Sequence, residues 1–533
     1  MDTIFYNGLI HTMQGDEVVS ALAVENGLVC AVGGDARILA LQTPQTTLID
    51  LKQKLMIPGF NDSHLHLLNY ALQKRRLNLG GCRSIAELIK LGADFIAQEA
   101  PVEPLIGWGW NQDHFHTPAF LRRQDLDEIS RELPIVFYRV CGHIAVVNSR
   151  ALEFFNIGPA TKCQEGGSFD LKSGLFCEQA LDLLAVPAPG SAAIKELIKE
   201  ATADMIRQGL TSAQSDDFGQ AAREDVIRAY SELAIAGELP LRVCQQCLFS
   251  NQQDISRFFE EKHQLPQEQA FYKLGPIKLL SDGSLGARTA YLSHPYHDDP
   301  QTRGIACFSQ EELDEIVTFC HKNGRATAIH CIGDGAARLA LNSIEKARRI
   351  SNAGLRHGLV HCQISDRPLL EKMRELELLA YIQPIFLDYD IHIVYQRVGA
   401  DIAQTSYQFK TLKDLGVKIS LGSDCPVEPF DPLPNIYCAV TRKDLRGFPK
   451  GGYLAEQALS VQEAVFAYTS GSAYCSNEEN VKGQLREGFY ADMIVLNKDI
   501  FSIAPEGIPD ARVLMTVVAG KIIYADADLK NCG

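Results

Sequence analysis

His64 and His66 stand two residues apart in the segment Pro58-Gly59-Phe60-Asn61-Asp62-Ser63-His64-Leu65-His66. Residues two apart in an extended chain point to one side, so both imidazoles can reach a single ion. The pair alone is weak evidence, because His114 and His116 repeat the spacing elsewhere. Its weight grows beside Lys278, His330, His361 and Asp424. Imidazole and carboxylate are donors for a divalent transition ion, zinc first, with manganese, cobalt or iron compatible. One or two ions per chain are expected. Lys278 is a different case, since an ammonium of reference pKa about 10.4 repels a cation. Near a divalent ion and partly buried, the neutral amine can add carbon dioxide, giving a carbamate whose two oxygens bridge two metals. The simpler alternative pairs Lys278 with Asp282, or with a substrate carboxylate beside one metal.

Such residues converge only if the chain places them on one rim. From residue 55 onward, short apolar runs alternate with long amphipathic stretches, the βα pattern of a parallel sheet. Eight candidate strands fall at 55–58, 211–214, 241–247, 275–280, 326–329, 358–360, 379–383 and 417–421. Ser309 with Glu312, and Ser460 with Glu463, read as helix capping boxes. Eight βα units predict a closed barrel, whose chemistry sits where the strands end. The histidine pair follows strand one, Lys278 lies on strand four, and His330, His361 and Asp424 follow strands five, six and eight. Singly, His330 or His361 reads as a hydrogen-bonded core or loop histidine; jointly the set reads as a metal site.

The gap between strands one and two is too long for one βα unit and predicts an insertion. Within it, 104–108 and 134–140 read as strands, and 85–98 and 192–207 as helices, the latter as the barrel's own helix. Emerging on the catalytic rim, it is expected to form a lid that sets specificity. Trp108 and Trp110, the only two tryptophans, read equally as a stacking surface for ligand or as plain core. Both ends of the chain carry hairpin-like runs broken by Asn7-Gly8, Asn26-Gly27 and Ala519-Gly520. The fold class expected is α/β: a (β/α)8 TIM barrel at 58–480 with an insertion at 70–200, plus a β-sandwich from 1–57 and 481–533.

Composition narrows the function. The chain has 533 residues, 46% hydrophobic and 22% charged, which suits a large folded core. With 51 basic against 66 acidic side chains and no basic stripe, nucleic acid is not an expected partner. No apolar run is long enough to span a membrane, and Met1 to Ile10 lack a signal-peptide pattern, so a cytoplasmic location and no membrane contact are expected. Fifteen scattered cysteines then read as reduced thiols. The single close pair, Cys244 and Cys247, lies in a strand-like run and reads as buried packing rather than a zinc or redox motif. No Gly-x-Ser-x-Gly elbow or Walker loop is present.

The arrangement resembles the amidohydrolase superfamily, whose metal hydrolases place a His-x-His, a bridging lysine, two further histidines and an aspartate at these strands. More narrowly, residues 58–66, Ile277-Lys278, 281–290, 329–334 and 422–427 look like the branch holding N-substituted formamide deformylases and exoenzyme regulatory proteins. The segment 483–496 is similar to the point where such chains re-enter their sandwich. The resemblance spans nearly the whole chain and implies His64, His66, Lys278, His330, His361 and Asp424 as metal ligands, with a carbamate on Lys278 in two-metal members. His143 and Glu178 lie in segments that resemble substrate-facing ones; Asp282 and Arg288 are further candidate substrate contacts, Arg288 reading equally as a surface ion pair. Function is expected to be hydrolysis of a non-peptide C–N bond, in a small-molecule amide or N-substituted formamide, by metal-activated hydroxide, with Asp424 and His361 catalytic. A cyclic-amide, amidine or ester hydrolase is the same-chemistry alternative. A non-catalytic ligand-binding regulator is the alternative of another class, and a homodimer is left open.

Overall fold

The computed structural model describes residues 1–98, 104–117, 119–139, 144–163, 167–184, 188–261, 269–351 and 353–527. The chain forms two compact units: Met1–Leu68 with Gly190–Gly533, and Asn69–Pro189.

In the larger unit, eight parallel strands run in sequential order: β1 Phe60–Leu65, β2 Leu210–Ser215, β3 Arg242–Leu248, β4 Tyr272–Leu280, β5 Thr327–Cys331, β6 Gly358–His361, β7 Leu379–Ile382 and β8 Lys418–Leu421. Most are buried along their length, as a parallel sheet covered by helices requires. Backbone hydrogen bonds join the ends of β8 and β1: Asp424 N–H donates to the His64 carbonyl and His66 N–H to that of Cys425, each at 2.7 Å. Asp62 reinforces this closure, accepting from the N–H groups of His64 and Ser423 and from the Tyr468 hydroxyl. Only glycine fits at 422, because a Cβ there would stand 2.7 Å from the His64 nitrogen and 2.9 Å from Asp62 Oδ1.

The first candidate strand belongs elsewhere. Leu55–Pro58 pairs antiparallel with Met493–Leu496 and parallel with Leu9–His11, in a six-stranded sheet completed by Val18–Val19, Val513–Val518 and Lys521–Ala525. The chain changes sheets after Pro58-Gly59: Gly59 N–H still bonds the Asp492 carbonyl beside Met493, whereas Phe60 N–H bonds the Gly209 carbonyl just before β2. The second sheet of this layer is Leu28–Gly33, Ala21–Glu25, Thr3–Tyr6 and Thr47–Asp50. Phe5, Leu22 and Val29 from one end share a core with Met493, Val495 and Val517 from the other. Ser309 and Ser460 cap their helices with the reciprocal Glu312 and Glu463 bonds.

The smaller unit is a six-stranded sheet in the order Ser168–Asp170, Leu175–Cys177, Ile144–Val147, Ile135–Arg139, Leu105–Trp110, Leu77–Asn78. Alternation divides it into two cores: Ile135, Phe137 and Val146 pack with Leu88 on one face, Val136, Ala145 and Val147 with Phe176 on the other. Ile85–Gln98 is helical.

Candidate metal centre

Inside the barrel mouth, four histidines are oriented by the same rule. The Nδ1 of His64 lies 2.7 Å from Gln246 Oε1. Because Gln246 Nε2 donates to the Ser63 carbonyl at 3.0 Å, its oxygen faces the imidazole and the proton sits on Nδ1. His66 Nδ1 donates to the Asp216 carbonyl at 2.9 Å. His330 Nδ1 meets Asp282 Oδ1 at 2.8 Å, and His361 Nδ1 meets Gln383 Oε1 at 2.9 Å, with Gln383 Nε2 committed to the Tyr381 carbonyl. As a neutral imidazole, each ring therefore has Nε2 as its lone-pair nitrogen, the state a metal-ligating histidine needs.

These nitrogens converge with Asp424. His66 Nε2 is 3.1 Å and His64 Nε2 3.2 Å from Asp424 Oδ1, and Lys278 Nζ is 3.1 Å from His64 Nε2. Ligand atoms of His64, His361 and Asp424 all lie within 4.8 Å of one another. His330 packs edge-on against His361 with ring centroids 4.4 Å apart. Two of the residues take left-handed backbone conformations, φ 79° at His361 and 60° at Asp424, a strained state for a non-glycine residue that clusters at functional sites.

The electrostatics fit a cation. Two imidazole lone pairs and a carboxylate oxygen at this separation repel one another unless positive charge sits among them. A proton meets that demand in part: burial opposes it, yet Asp424 outweighs burial and raises His66 to about 9. A divalent ion meets it more fully. Burial, then Lys278, pushes His64 down to about 3; burial and His330 hold His361 well below its usual value. Asp424 stays well below the carboxylate range, since the His64 and His66 imidazoles overcome its burial. Burial also lowers Lys278, against the pull of Asp216 and Asp424. Asp216 supplies an orphan, a buried carboxylate with no hydrogen-bond partner on either oxygen, pushed up by burial to about 6.

Other sequence candidates take up different positions. Asp282, a candidate substrate contact, is occupied within the fold by His330 and by the N–H groups of Tyr291, Ile332 and Gly333, so it orients His330. Among the described residues no ion pair joins it to Lys278. Arg288 forms a bidentate pair with Asp298 at 3.0 and 2.8 Å. In the smaller unit, Trp110 is fully buried and donates its indole N–H to the Phe137 carbonyl, while Trp108 is 43% exposed and stacks on Tyr138. Glu178 is exposed, with φ 52°. His143 lies outside the described residues. Residue type and spacing do not single out Gln246, Gln383, Asp216 and Asp62. The strand-end rule reaches Gln383 and Asp216, and Gln246 lies within the Cys244 to Cys247 run, where the thiols are the conspicuous groups.

Sequence and structure comparisons agree on the class. The profile described as amidohydrolase family matches residues 47–524, and the chain belongs to that family. A Bacillus subtilis (strain 168) protein provisionally called amidohydrolase YtcJ is 33% identical over 98% of this chain and 99% of its own length. The N-substituted formamide deformylase of Arthrobacter pascens is 24% identical, covering 98% of each chain. An uncharacterized metal-dependent hydrolase from Pyrococcus furiosus has a similar structure, with a TM-score of 0.78 and 28% identity over 94% of this chain and 100% of that one.

Proposed function

We propose that the chain is a metal-dependent hydrolase that cleaves a non-peptide C–N bond, in an amide of the N-substituted formamide type. The observation that carries this reading is the convergence of Nδ1-anchored histidines on the Asp424 carboxylate. Similarity to the formamide deformylase supports the substrate class. His64, His66, His330, His361 and Asp424 would hold one or two divalent ions, zinc first, and Lys278, 3.1 Å from His64 Nε2, would join them as a carbamate. A bound ion supplies Lewis-acid polarisation of the carbonyl and a nucleophile drawn from water near neutral pH.

Asp424 does the proton work. Held as a carboxylate, it takes the proton that water gives up and delivers it to the departing amine nitrogen. Oδ1 of Asp424 lies 3.1 Å from His66 Nε2 and 3.2 Å from His64 Nε2, so the carboxylate stands where an ion held by these imidazoles would sit. Gln246, Gln383 and Asp282 keep the imidazoles from turning.

The test is product analysis with N-benzylformamide. Wild-type protein should release benzylamine and formate in equal amounts. Asp424→Asn, which preserves size but cannot act as proton acceptor, should lower kcat by at least about 10²-fold with metal content retained. Near-normal kcat in that variant would remove Asp424 from the mechanism. Turnover of amidines to ammonia, with no formamide cleavage, would move the chain to the deaminase alternative.

A further inference from the structure

A second cavity, of about 330 Å³, opens at the lower end of the barrel, where the strands begin. Lys273, Arg325 and Arg356 line it, each five residues before a candidate metal ligand: Lys278, His330 and His361. At ~3.3 Å per residue of strand, that spacing sets the cavity roughly 16 Å below the metal centre along β4. It is a separate site. Its volume lies at the small end of the ~300–1,000 Å³ range of ligand pockets.

Charge is one-sided there. Among the described residues, the lining carries these three cations and no carboxylate. Glu478 and Glu479, on the segment after the helix Ser472–Cys475, answer the charge from outside the lining. Glu479 takes Arg356 through both terminal nitrogens, at 3.0 and 2.6 Å, and the guanidinium lies 3.7 Å from the Tyr474 ring centroid. Glu478 lies 3.2 Å from Lys273 but is shared with Lys482, 2.7 Å away. The Lys273 ammonium also donates to the Ser476 carbonyl. Arg325 forms no ion pair among the described residues. Its Nη1 reaches the Leu274 carbonyl at 3.0 Å and that of Gly275 at 3.5 Å, which orients the guanidinium and leaves Nε and Nη2 uncommitted. Lys273, Arg325, Arg356 and Lys482 thus share two carboxylates, and the wall keeps an excess of positive charge in a partly enclosed setting.

We propose that this cavity binds a small oxyanion of the phosphate class, as free phosphate or as a short phosphate monoester. Guanidinium groups present paired N–H donors that match phosphate oxygens, and an ammonium supplies a point charge beside them. The three cations are already held by backbone carbonyls, carboxylates and a ring, so an anion meets a preorganised site. Its negative charge offsets the excess on the wall. The site stands apart from the amide-hydrolase reading, and an anion there joins the starts of β4, β5 and β6.

The experiment follows thermal unfolding of the full, metal-loaded chain against inorganic phosphate, with sodium chloride at matched ionic strength as the control. Wild type should gain Tm saturably with phosphate and not with chloride, because a ligand of the folded state stabilises it by mass action. Arg325→Gln, with metal content unchanged, should weaken the apparent phosphate Kd at least about tenfold, and Arg325→Lys, which keeps the charge, should lose less. Phosphate held by the metal centre would stabilise all three proteins alike. That result would overturn the proposal, as would an equal gain in chloride. A second readout needs no variant: phosphate should slow phenylglyoxal modification of the Arg325 peptide, read by mass spectrometry, and leave that of exposed Arg37 unchanged. Equal rates at Arg325 with and without phosphate would likewise overturn it. Glycerol 3-phosphate separates the two sources, since tighter binding than phosphate assigns the monoester and weaker binding assigns free phosphate.

Discussion

An imidazole binds a metal well only if its other nitrogen is held, and here four different acceptors do the holding. Gln246 is the informative one, because it touches His64 and carries no charge of its own. Gln246→Leu keeps the bulk but removes the acceptor, freeing His64 to turn or change tautomer. The expected cost is about 10–100-fold in metal affinity or in kcat/KM, read by competition titration with a chelator and by amide turnover. Unchanged affinity would show that His64 needs no anchor. The first rank of the site was legible in sequence because histidines and an aspartate after strands are conspicuous by type. The supporting rank was not, because Gln246 and Gln383 differ from any other strand glutamine only in which way the amide faces, and that is set by the Ser63 carbonyl on β1 and the Tyr381 carbonyl two residues earlier on β7.

At the scale of elements, the barrel's lower end carries its own buried histidine pair. His357 precedes β6 and accepts from Thr327 N–H at 3.1 Å through Nδ1, while its Nε2 lies 2.9 Å from His321 Nδ1 on the helix Gln310–Lys322. His321 Nε2 donates to the Ser351 carbonyl, so the shared proton belongs to His357 Nε2. A second proton on His357 would face the Thr327 N–H. Burial and His321 accordingly lower its pKa from 6.5 to about 3. Between those values the unfolded chain binds the extra proton and the folded one does not, so stability is full above about pH 6.5 and falls as pH drops toward 3, by at most about 1.4 kcal/mol per pH unit. His357→Gln should flatten urea-unfolding stability across pH 6.5 to 4; an unchanged slope would assign the acid sensitivity elsewhere. Seven of the eight strands were readable at this scale from apolar runs between amphipathic stretches. The first was misplaced by one segment, because Leu55–Pro58 is as apolar as any barrel strand and the sequence of β1, with Asn61, Asp62, Ser63 and His64, looks polar although all of it is buried.

For the molecule as a whole, the terminal sheets and the barrel make one unit, and a buried ion pair helps join them. Arg242, at the start of β3, meets Asp492 through Nε at 2.7 Å and Nη2 at 3.2 Å, and its guanidinium lies 3.7 Å from the Tyr490 ring centroid. Asp492→Ala strands that cation without its partner and should destabilise the fold by about 3–5 kcal/mol in denaturant unfolding. A loss under about 1 kcal/mol would show that ring stacking suffices. Hairpin signals at both ends made a composite sandwich readable, whereas the Arg242 to Asp492 pair, 250 residues apart, leaves no local trace. Elemental analysis of freshly purified, unchelated protein reads out whether this barrel mouth is a metal site. A metal site there requires one or two divalent transition ions per chain, removed by a chelator together with amide turnover and restored with it. Substoichiometric metal that reconstitution cannot raise would contradict it.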